Sequence, residues 1–316
     1  MSFNGKIALI KRWMGILTGS NRVAAEQGIG KYYSKTSVEG YYNDLTCKVN
    51  EKTLLDTEGI PVNVIEKGIQ VHFPISIFQY ALGLWDLYLA SGNENYKDNF
   101  LKQAFWIEDS QRCDGSWNCF EAIGYKQLTV SSMGQGEAIS VLSRAYQLDH
   151  KEHWLRAAER AAAFMVLPLE KGGTLRATKN GPVFEEYADL EGTKEGVLNG
   201  WIFSLFGLYD YLKIKDDESL HHVYEASIRA LELELPHYDM KYWSYYDRTG
   251  RIASPAYHEL HVALLTVLSD ITGIQTFVET AQKWKQYADS PINKMRAISR
   301  KAIQKFKESP EGIIIQ

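Results

Sequence analysis

Glu185-Glu186-Tyr187 ends a glycine-rich stretch, and about ten residues later Val197-Leu198-Asn199-Gly200-Trp201 opens an apolar run. An acid pair and a phenol thus stand just before a buried helix, a place where a pocket can be built. Two more tyrosines recur in similar surroundings, Tyr246 beside Asp247 and Arg248, and Tyr257 beside His258. Carboxylate, phenol, guanidinium and imidazole at successive loop-to-helix junctions are the parts needed for proton transfer on an anionic substrate.

Helices are expected to position these groups. The chain from about residue 73 carries apolar residues at helical spacing, as in Leu198, Trp201, Ile202, Leu205 and Leu208. Four helix hairpins can be laid along it. They run from Pro74 to Leu89 and Tyr96 to Ile107, from Gly136 to Leu148 and Trp154 to Val166, from Val197 to Ile214 and Leu220 to Leu233, and from Ala256 to Ile271 and Phe277 to Tyr287. Their turns lie about 60 residues apart, and a fixed period is the signature of a repeat architecture. The expected fold is mostly α: an incomplete (α/α) toroid of about four helix hairpins. Residues 1–70 are expected to form a short irregular or β N-terminal arm, and residues 71–316 the toroid that carries the chemistry. The loops 108–135, 167–196 and 235–256 would gather at one end, where functional groups tend to sit. They include the tight turn Asp114-Gly115-Ser116-Trp117, with a Trp expected to be exposed, and Ser131 to Glu137, where Gly134 and Gly136 allow close backbone approach. The Gly134-Gln135-Gly136 piece lacks the strand and third glycine of a phosphate-binding fingerprint. A last basic helix, about Asn293 to Phe306, is expected to be solvated.

Composition narrows the function. The chain has 316 residues, 45% hydrophobic and 23% charged, enough for a large core. A net charge of −4 gives no global basic field for nucleic acid, so any anion must be held by local Arg and Lys. The 19 Tyr and 8 Trp suit stacking on sugar rings as well as core filling. Cys47, Cys113 and Cys119 make neither a disulfide framework nor a zinc pattern, which points to reduced thiols and a cytoplasmic location. No cofactor or metal is expected. No stretch approaches the roughly 20 apolar residues of a membrane span. Met1 to Leu17 carries Lys6, Lys11 and Arg12 among apolar residues; its run Ile7 to Ile10 is too short for a signal-peptide core, and an amphipathic surface helix is one reading of the first 25 residues.

The sequence resembles the C-terminal domain of the glucuronyl 5-epimerases of heparosan and heparan sulfate biosynthesis. The resemblance rests on Phe73-Pro74-Ile75 to Gln79-Tyr80, Gly134 to Ser140 with Arg144-Ala145-Tyr146, Glu185-Glu186-Tyr187, Leu198-Asn199-Gly200 with Ser204-Leu205, Gly207 to Asp210, Tyr246-Asp247 and Tyr257-His258. It covers about residues 40–290. The family's enzymes carry a β-rich region before this domain, and with about 70 residues preceding it here that region is expected to be reduced. The resemblance implies reversible removal and return of the C-5 proton of a uronic acid within an anionic polysaccharide. It places the acid–base work on Glu186, Tyr187, Tyr246 and Tyr257. The family's arginine follows its tyrosine by three positions, whereas Arg248 follows Tyr246 by two and Arg251 by five.

The C-5 hydrogen lies α to a carboxylate, so its removal builds a dianionic aci-carboxylate that an arginine would neutralise. Inversion needs one proton-transfer group on each ring face, and Glu186 and Tyr257 come from separate repeats. A neighbouring cation would have to lower the phenol's pKa for it to act as a base. Arg248 or Arg251, with Arg176 or Lys179 on the preceding loop, would bind the carboxylate. His258, Gln135, Trp117 and Asn199 complete the expected substrate contacts, His258 as proton holder or helix cap. A homodimer is one assembly open to the chain. Three other functions stay open: a lyase sharing C-5 abstraction, a hydrolase using carboxylates among Glu185, Glu186, Asp189 and Glu191, and a glycan-binding scaffold.

Overall fold

The computed structural model describes residues 27–65, 68–125 and 129–308. The amphipathic helix considered for the first 25 residues lies outside them. Four antiparallel hairpins follow one another: α1 (Pro74–Ser91) with α2 (Glu94–Asp109), α3 (Ser132–Asp149) with α4 (Glu152–Met165), α5 (Leu198–Ile214) with α6 (Glu218–Glu234), and α7 (Pro255–Thr272) with α8 (Gln275–Asp289). The helix α9 (Pro291–Lys307) packs back on α7 and α8.

Burial separates two kinds of helix. The leading helices are covered on most sides; α5 buries every residue from Leu198 to Leu208. They pack in sequence, α1 on α3, α3 on α5 and α5 on α7, and form the inner wall of an incomplete (α/α) toroid. The following helices bury one stripe. In α8 only Phe277, Ala281 and Trp284 are buried, at i, i+4 and i+7. The closest approach is between α3 and α5, where a Cβ on Gly207 would collide with the Gly136 backbone. The Gly134-Gln135-Gly136 piece is therefore the first turn of α3, capped by Ser131, and not part of a loop. Gly136 lets the α5 backbone approach at Phe203 and Ser204, and Gly134 makes room for the Cys119 thiol.

Local signals set the ends. Pro74 and Pro255 start α1 and α7, and Gly92 and Gly273 end them in the left-handed conformation. Side chains of Asn93, Asp217 and Ser254 cap α2, α6 and α7. Because the leading helices run the same way, the segments entering them collect at one end. One of these segments holds a hairpin that periodicity did not reveal: β3 (Leu175–Thr178) pairs antiparallel with β4 (Gly181–Phe184). In the arm, β1 (Asn63–Val64) pairs with β2 (Gln70–Val71).

The arm is fastened to the helices. Tyr41, Tyr42, Leu45 and Ile60 belong to the main core. Arg144 of α3 is fully buried and donates to Asp210 of α5 at 2.6 Å, to the Gly40 carbonyl at 2.7 Å and to the Ser140 carbonyl at 2.8 Å. Tyr42 donates to the other Asp210 oxygen at 2.6 Å. The terminal helix α9 departs from the solvated expectation, since Ala297, Ile298 and Lys301 are buried. They fall on one helical face, and Lys301 Nζ donates to the Ile252 carbonyl at 2.7 Å.

Candidate active site

The acid pair divides its labour. Glu185 leaves β4 with its side chain fully buried; it accepts from Arg176 Nε at 2.6 Å and from the Gly196 amide at 2.7 Å. Its carbonyl accepts from the Ser132 amide, which ties this loop to the start of α3. Glu186, the next residue, faces the other way, as successive residues leaving a strand do. A Cβ on Gly200 would stand 2.6 Å from Glu186 Oε2, so the first turn of α5 has a glycine where the carboxyl enters. The Asn199 amide reaches Glu186 Oε2 at 3.4 Å.

Tyr187 and Tyr246 both lie against the Glu186 carboxyl and act on its ionisation, and Tyr246 likewise acts on Tyr257. Tyr246 is held at the mouth of α5, its carbonyl accepting from the Leu198 amide at 3.1 Å. Tyr257 sits in the first turn of α7, its amide bonded to the capping Ser254 hydroxyl. The rings of Tyr246 and Tyr257 meet edge to face at 4.9 Å. Tyr187 stacks on Phe120, with the buried Lys194 ammonium 4.5 Å from its ring centroid. Three segments thus deliver these residues to one place: Glu186 and Tyr187 from the exit of β4, Tyr246 from the segment before α7, and Tyr257 from α7 itself. Tyr257 keeps an outer edge, being 41% exposed.

Burial is the main electrostatic influence. It raises Glu186 to about 7, opposed by Tyr187 and by the charges of Arg251 and Lys194. Tyr257 is raised to about 12 by burial and by the Glu186 charge. Tyr187 and Tyr246 lie well above the usual phenol range for the same reasons. The cation-lowered phenol expected from the sequence is therefore absent from this unliganded site: the phenols are proton donors, and the carboxyl titrates near neutrality.

Two arginines compete for the anion-binding role, and their neighbours separate them. Arg248 is occupied by Glu195 at 2.9 Å and Glu234 at 3.4 Å. Arg251 lies over the Tyr246 ring at 5.4 Å and pairs with Asp247 through Nε, while its buried Nη2 has neither an ion-pair nor a hydrogen-bond partner among the described residues. That nitrogen is a donor available for a carboxylate. Arg176 is committed to Glu185 and the Asp189 carbonyl, and Lys179 is exposed.

Three expected contacts turn out to be structural. Trp117 is 1% exposed, donates to the Ile107 carbonyl and packs edge to face on Phe78, so it offers no stacking face. Gln135 is fully buried; its amide donates to the Gly115 and Ala161 carbonyls and its oxygen accepts from the Trp117 amide. His258 is neither proton holder nor cap. It stacks on Trp243 at 3.8 Å, accepts from the Ser244 amide at Nδ1 and donates from Nε2 to the Trp284 carbonyl, and burial lowers it to about 4. Asn199 does reach the site.

Sequence reasoning passed over Glu137, Lys194 and Lys301. Glu137, on α3, is fully buried; Gln79 donates to Oε1 at 2.8 Å and Oε2 has no partner among the described residues. Burial raises it to about 8, with the Glu186 charge adding to the rise. An acid inside an otherwise apolar helical run was the available signal. Lys301 Nζ lies 5.9 Å from the Tyr246 ring centroid. Among the described residues no group of His, Cys, Asp and Glu could hold a metal ion, and no helix is long and apolar enough to cross a membrane.

Comparison with known proteins gives this geometry a family. The D-glucuronyl C5-epimerase C-terminus family matches residues 113–286. A D-glucuronyl C5-epimerase of Caenorhabditis elegans is 29% identical over 221 residues, 62% of this chain and 36% of that protein. An uncharacterized protein of Methanocaldococcus jannaschii is 30% identical over 156 residues, 48% of this chain and 50% of its own length. The matches thus span half or less of these relatives. Among solved structures, a D-mannose isomerase superimposes with a TM-score of 0.54 at 12% identity, over 77% of this chain and 68% of that one, a likeness of fold.

Proposed function

The chain belongs to the D-glucuronyl C5-epimerase family, and on that premise we propose that it inverts carbon 5 of glucuronate residues within an anionic polysaccharide. The observation that carries the reading is the gathering of Glu186, Tyr246 and Tyr257, a titratable carboxyl and a protonated phenol on either side of a Tyr246 ring that meets Tyr257 edge to face.

In the proposed reaction ionised Glu186 takes the C-5 proton, and the electron pair moves into the sugar carboxylate. Arg251 Nη2 holds that carboxylate as its charge grows. Tyr257 then donates its phenolic proton to C-5 from the opposite face. Its proton is restored from solvent, to which the residue is open. Tyr187 and Tyr246 flank Glu186 and, with Asn199, fix its orientation. In the reverse direction Tyr257, as phenolate, removes the proton and the Glu186 carboxyl returns one, so the two groups exchange roles. Glycan binding to a chain of net charge −4 fits the local cations Arg251, Lys194 and Lys301.

The test is incubation of the protein with heparosan-type oligosaccharides in deuterium oxide. Deuterium at C-5 with iduronate formation and intact chains is expected. Chain cleavage with an unsaturated product would replace the reading with a lyase, and loss of the terminal sugar would replace it with a hydrolase.

A further inference from the structure

Lys194 is only 8% exposed, at the edge of the proton-transfer site. Lysine is among the residues least often taken out of water, so its burial needs a cause. The loop from β4 to α5 supplies one. Before Lys194, the Asp189 carboxylate accepts from the Glu191 amide at 2.9 Å and from the Thr193 amide at 2.8 Å. After it, the Glu195 carbonyl accepts from the Arg248 amide at 3.0 Å. Gly196 is bound twice, its amide donating to Glu185 and its carbonyl accepting from the Tyr238 hydroxyl, each at 2.7 Å. Lys194 thus stands between pinned neighbours, with its side chain turned inward.

The inward end meets a cluster of rings. Phe120 and Tyr125 come from the segment between α2 and α3, where Gly124 is left-handed and the Tyr125 amide returns to the Phe120 carbonyl at 3.2 Å. Tyr187 stacks on Phe120 at 4.9 Å and lies 6.0 Å from Tyr125. Lys194 Nζ donates to the Tyr125 hydroxyl at 2.8 Å. It lies 4.3 Å from the Tyr125 ring centroid and 4.5 Å from that of Tyr187. A cation over ring faces is held more strongly where water is excluded. One ammonium therefore clamps the loop, the Phe120–Tyr125 turn and Tyr187 together.

Tyr187 is the residue next to Glu186, so the clamp brings a positive charge to the acid. The groups facing Glu186 are Tyr187 and Lys194 on this loop, Asn199 on α5, Tyr246 and Arg251 before α7, Tyr257 on α7 and Glu137 on α3. Two of them are cations. Arg251 is paired with Asp247, which offsets part of its charge. Burial raises Glu186, and the charges of Arg251 and Lys194 work against that rise.

We propose that Lys194 is a positioning residue of the proton-transfer site: clamped on the Tyr125 and Tyr187 rings, its ammonium supplies the positive charge that favours the ionised, proton-accepting form of Glu186. It acts through Glu186 and not on the reacting carbon. Its effect on rate rests on the epimerase reading of the site, whereas its effect on the carboxyl is a property of the protein without substrate.

The test compares wild type with Lys194→Met, Lys194→Gln and Lys194→Arg, all as full chains. The Glu186 carboxyl is titrated without substrate by carbon-13 NMR of labelled glutamate, its signal assigned by its loss in Glu186→Gln. The wild-type midpoint is expected at about 7. The two neutral variants should each raise it by about one pH unit, because a nearby opposite charge favours the charged form. The arginine variant keeps the charge and should undo most of that rise. C-5 deuterium exchange on heparosan-type oligosaccharides is then followed across the same pH range. At pH 7 the neutral variants should be about fivefold slower, as the ionised fraction falls from about one half to about one tenth. That deficit should shrink as pH rises past about 8, whereas a packing defect would slow exchange equally at every pH. An unchanged midpoint in the folded neutral variants, or a rise that arginine does not reduce, overturns the proposal. A raised midpoint with no exchange in any protein would keep the role of Lys194 and remove the epimerase reading. Exchange with an unmoved midpoint would do the reverse.

Discussion

Glu186 carries the clearest pH signature in the molecule. Its carboxyl is raised from 4.5 to about 7, chiefly by burial. The base form needed to take the C-5 proton of glucuronate therefore appears only as pH rises through 7, while Tyr257, at about 12, stays protonated. The glucuronate exchange rate should climb between about pH 6 and 8 and then level. Glu186→Gln should abolish that limb and lower turnover by roughly 10²–10⁴. Tyr257→Phe should lose inversion while leaving Glu186 able to exchange the proton of one epimer. Stability runs the opposite way. Between about 4.5 and 7 the unfolded chain has released this proton and the folded chain still holds it, so the contribution is full below 4.5 and is lost as pH passes 7. At pH 8, Glu186→Gln should therefore melt no lower than wild type, because the amide carries no charge to desolvate. A glutamine variant with a normal rate and an unchanged pH profile would mean that another group takes the proton. The two arginines give a companion test. Arg251→Ala should raise KM and lower kcat together, because the charge it meets grows in the transition state. Arg248→Ala should act on stability, since it strands Glu195 and the buried Glu234. Equal kinetic losses in both would contradict the division.

At the scale of elements, the helices were legible and the directions of side chains in loops were not. The hairpins could be read because a 3.6-residue period persists over four turns or more, and their ends carry Pro, Gly, Asn and Asp where caps need them. The β3–β4 hairpin was missed because each strand has four residues, too few to show a period of two. Yet that hairpin decides which of two adjacent glutamates enters the site. With Leu175 opposite Phe184, the chain leaves β4 so that Glu185 faces Arg176 and Glu186 faces the tyrosines. Arg251 was left level with Arg248 because the choice depends on the turn at Asp247, whose carboxylate accepts from the Thr249 and Arg251 amides and folds Arg251 back over Tyr246. Trp117 sits at a tight turn closed by the Asp114 side chain, which suggested exposure. The turn is tight because the indole is inserted between α1 and the end of α2.

Across the whole molecule, one buried ion pair holds the arm, α3 and α5 in register. Arg144 and Asp210 are both fully buried, and the pair is completed by the Gly40 and Ser140 carbonyls and the Tyr42 hydroxyl. The Tyr41 amide adds a bond to Asp86 of α1 at 2.9 Å. Such a pair contributes less than its contacts suggest while intact, because both charges were taken from water. Removing one partner leaves the other charge uncompensated in the core. Arg144→Met should therefore cost about 3–5 kcal/mol and lower the melting temperature on the order of 5–10 °C. The arm should become accessible to protease near Gly40 before the helices unfold. Asp210 lies eleven residues beyond Asn199 on α5, about 16 Å along the axis, so the damage is distant from the tyrosines. The folded fraction should keep near-normal exchange on a single-uronate ligand at low temperature. The double variant Arg144→Met with Asp210→Leu removes the stranded charge and should recover part of the stability, a non-additivity expected of side chains in contact. Additive losses in that double variant, or a Met variant that melts like wild type, would show that the pair does not fasten the arm to the toroid.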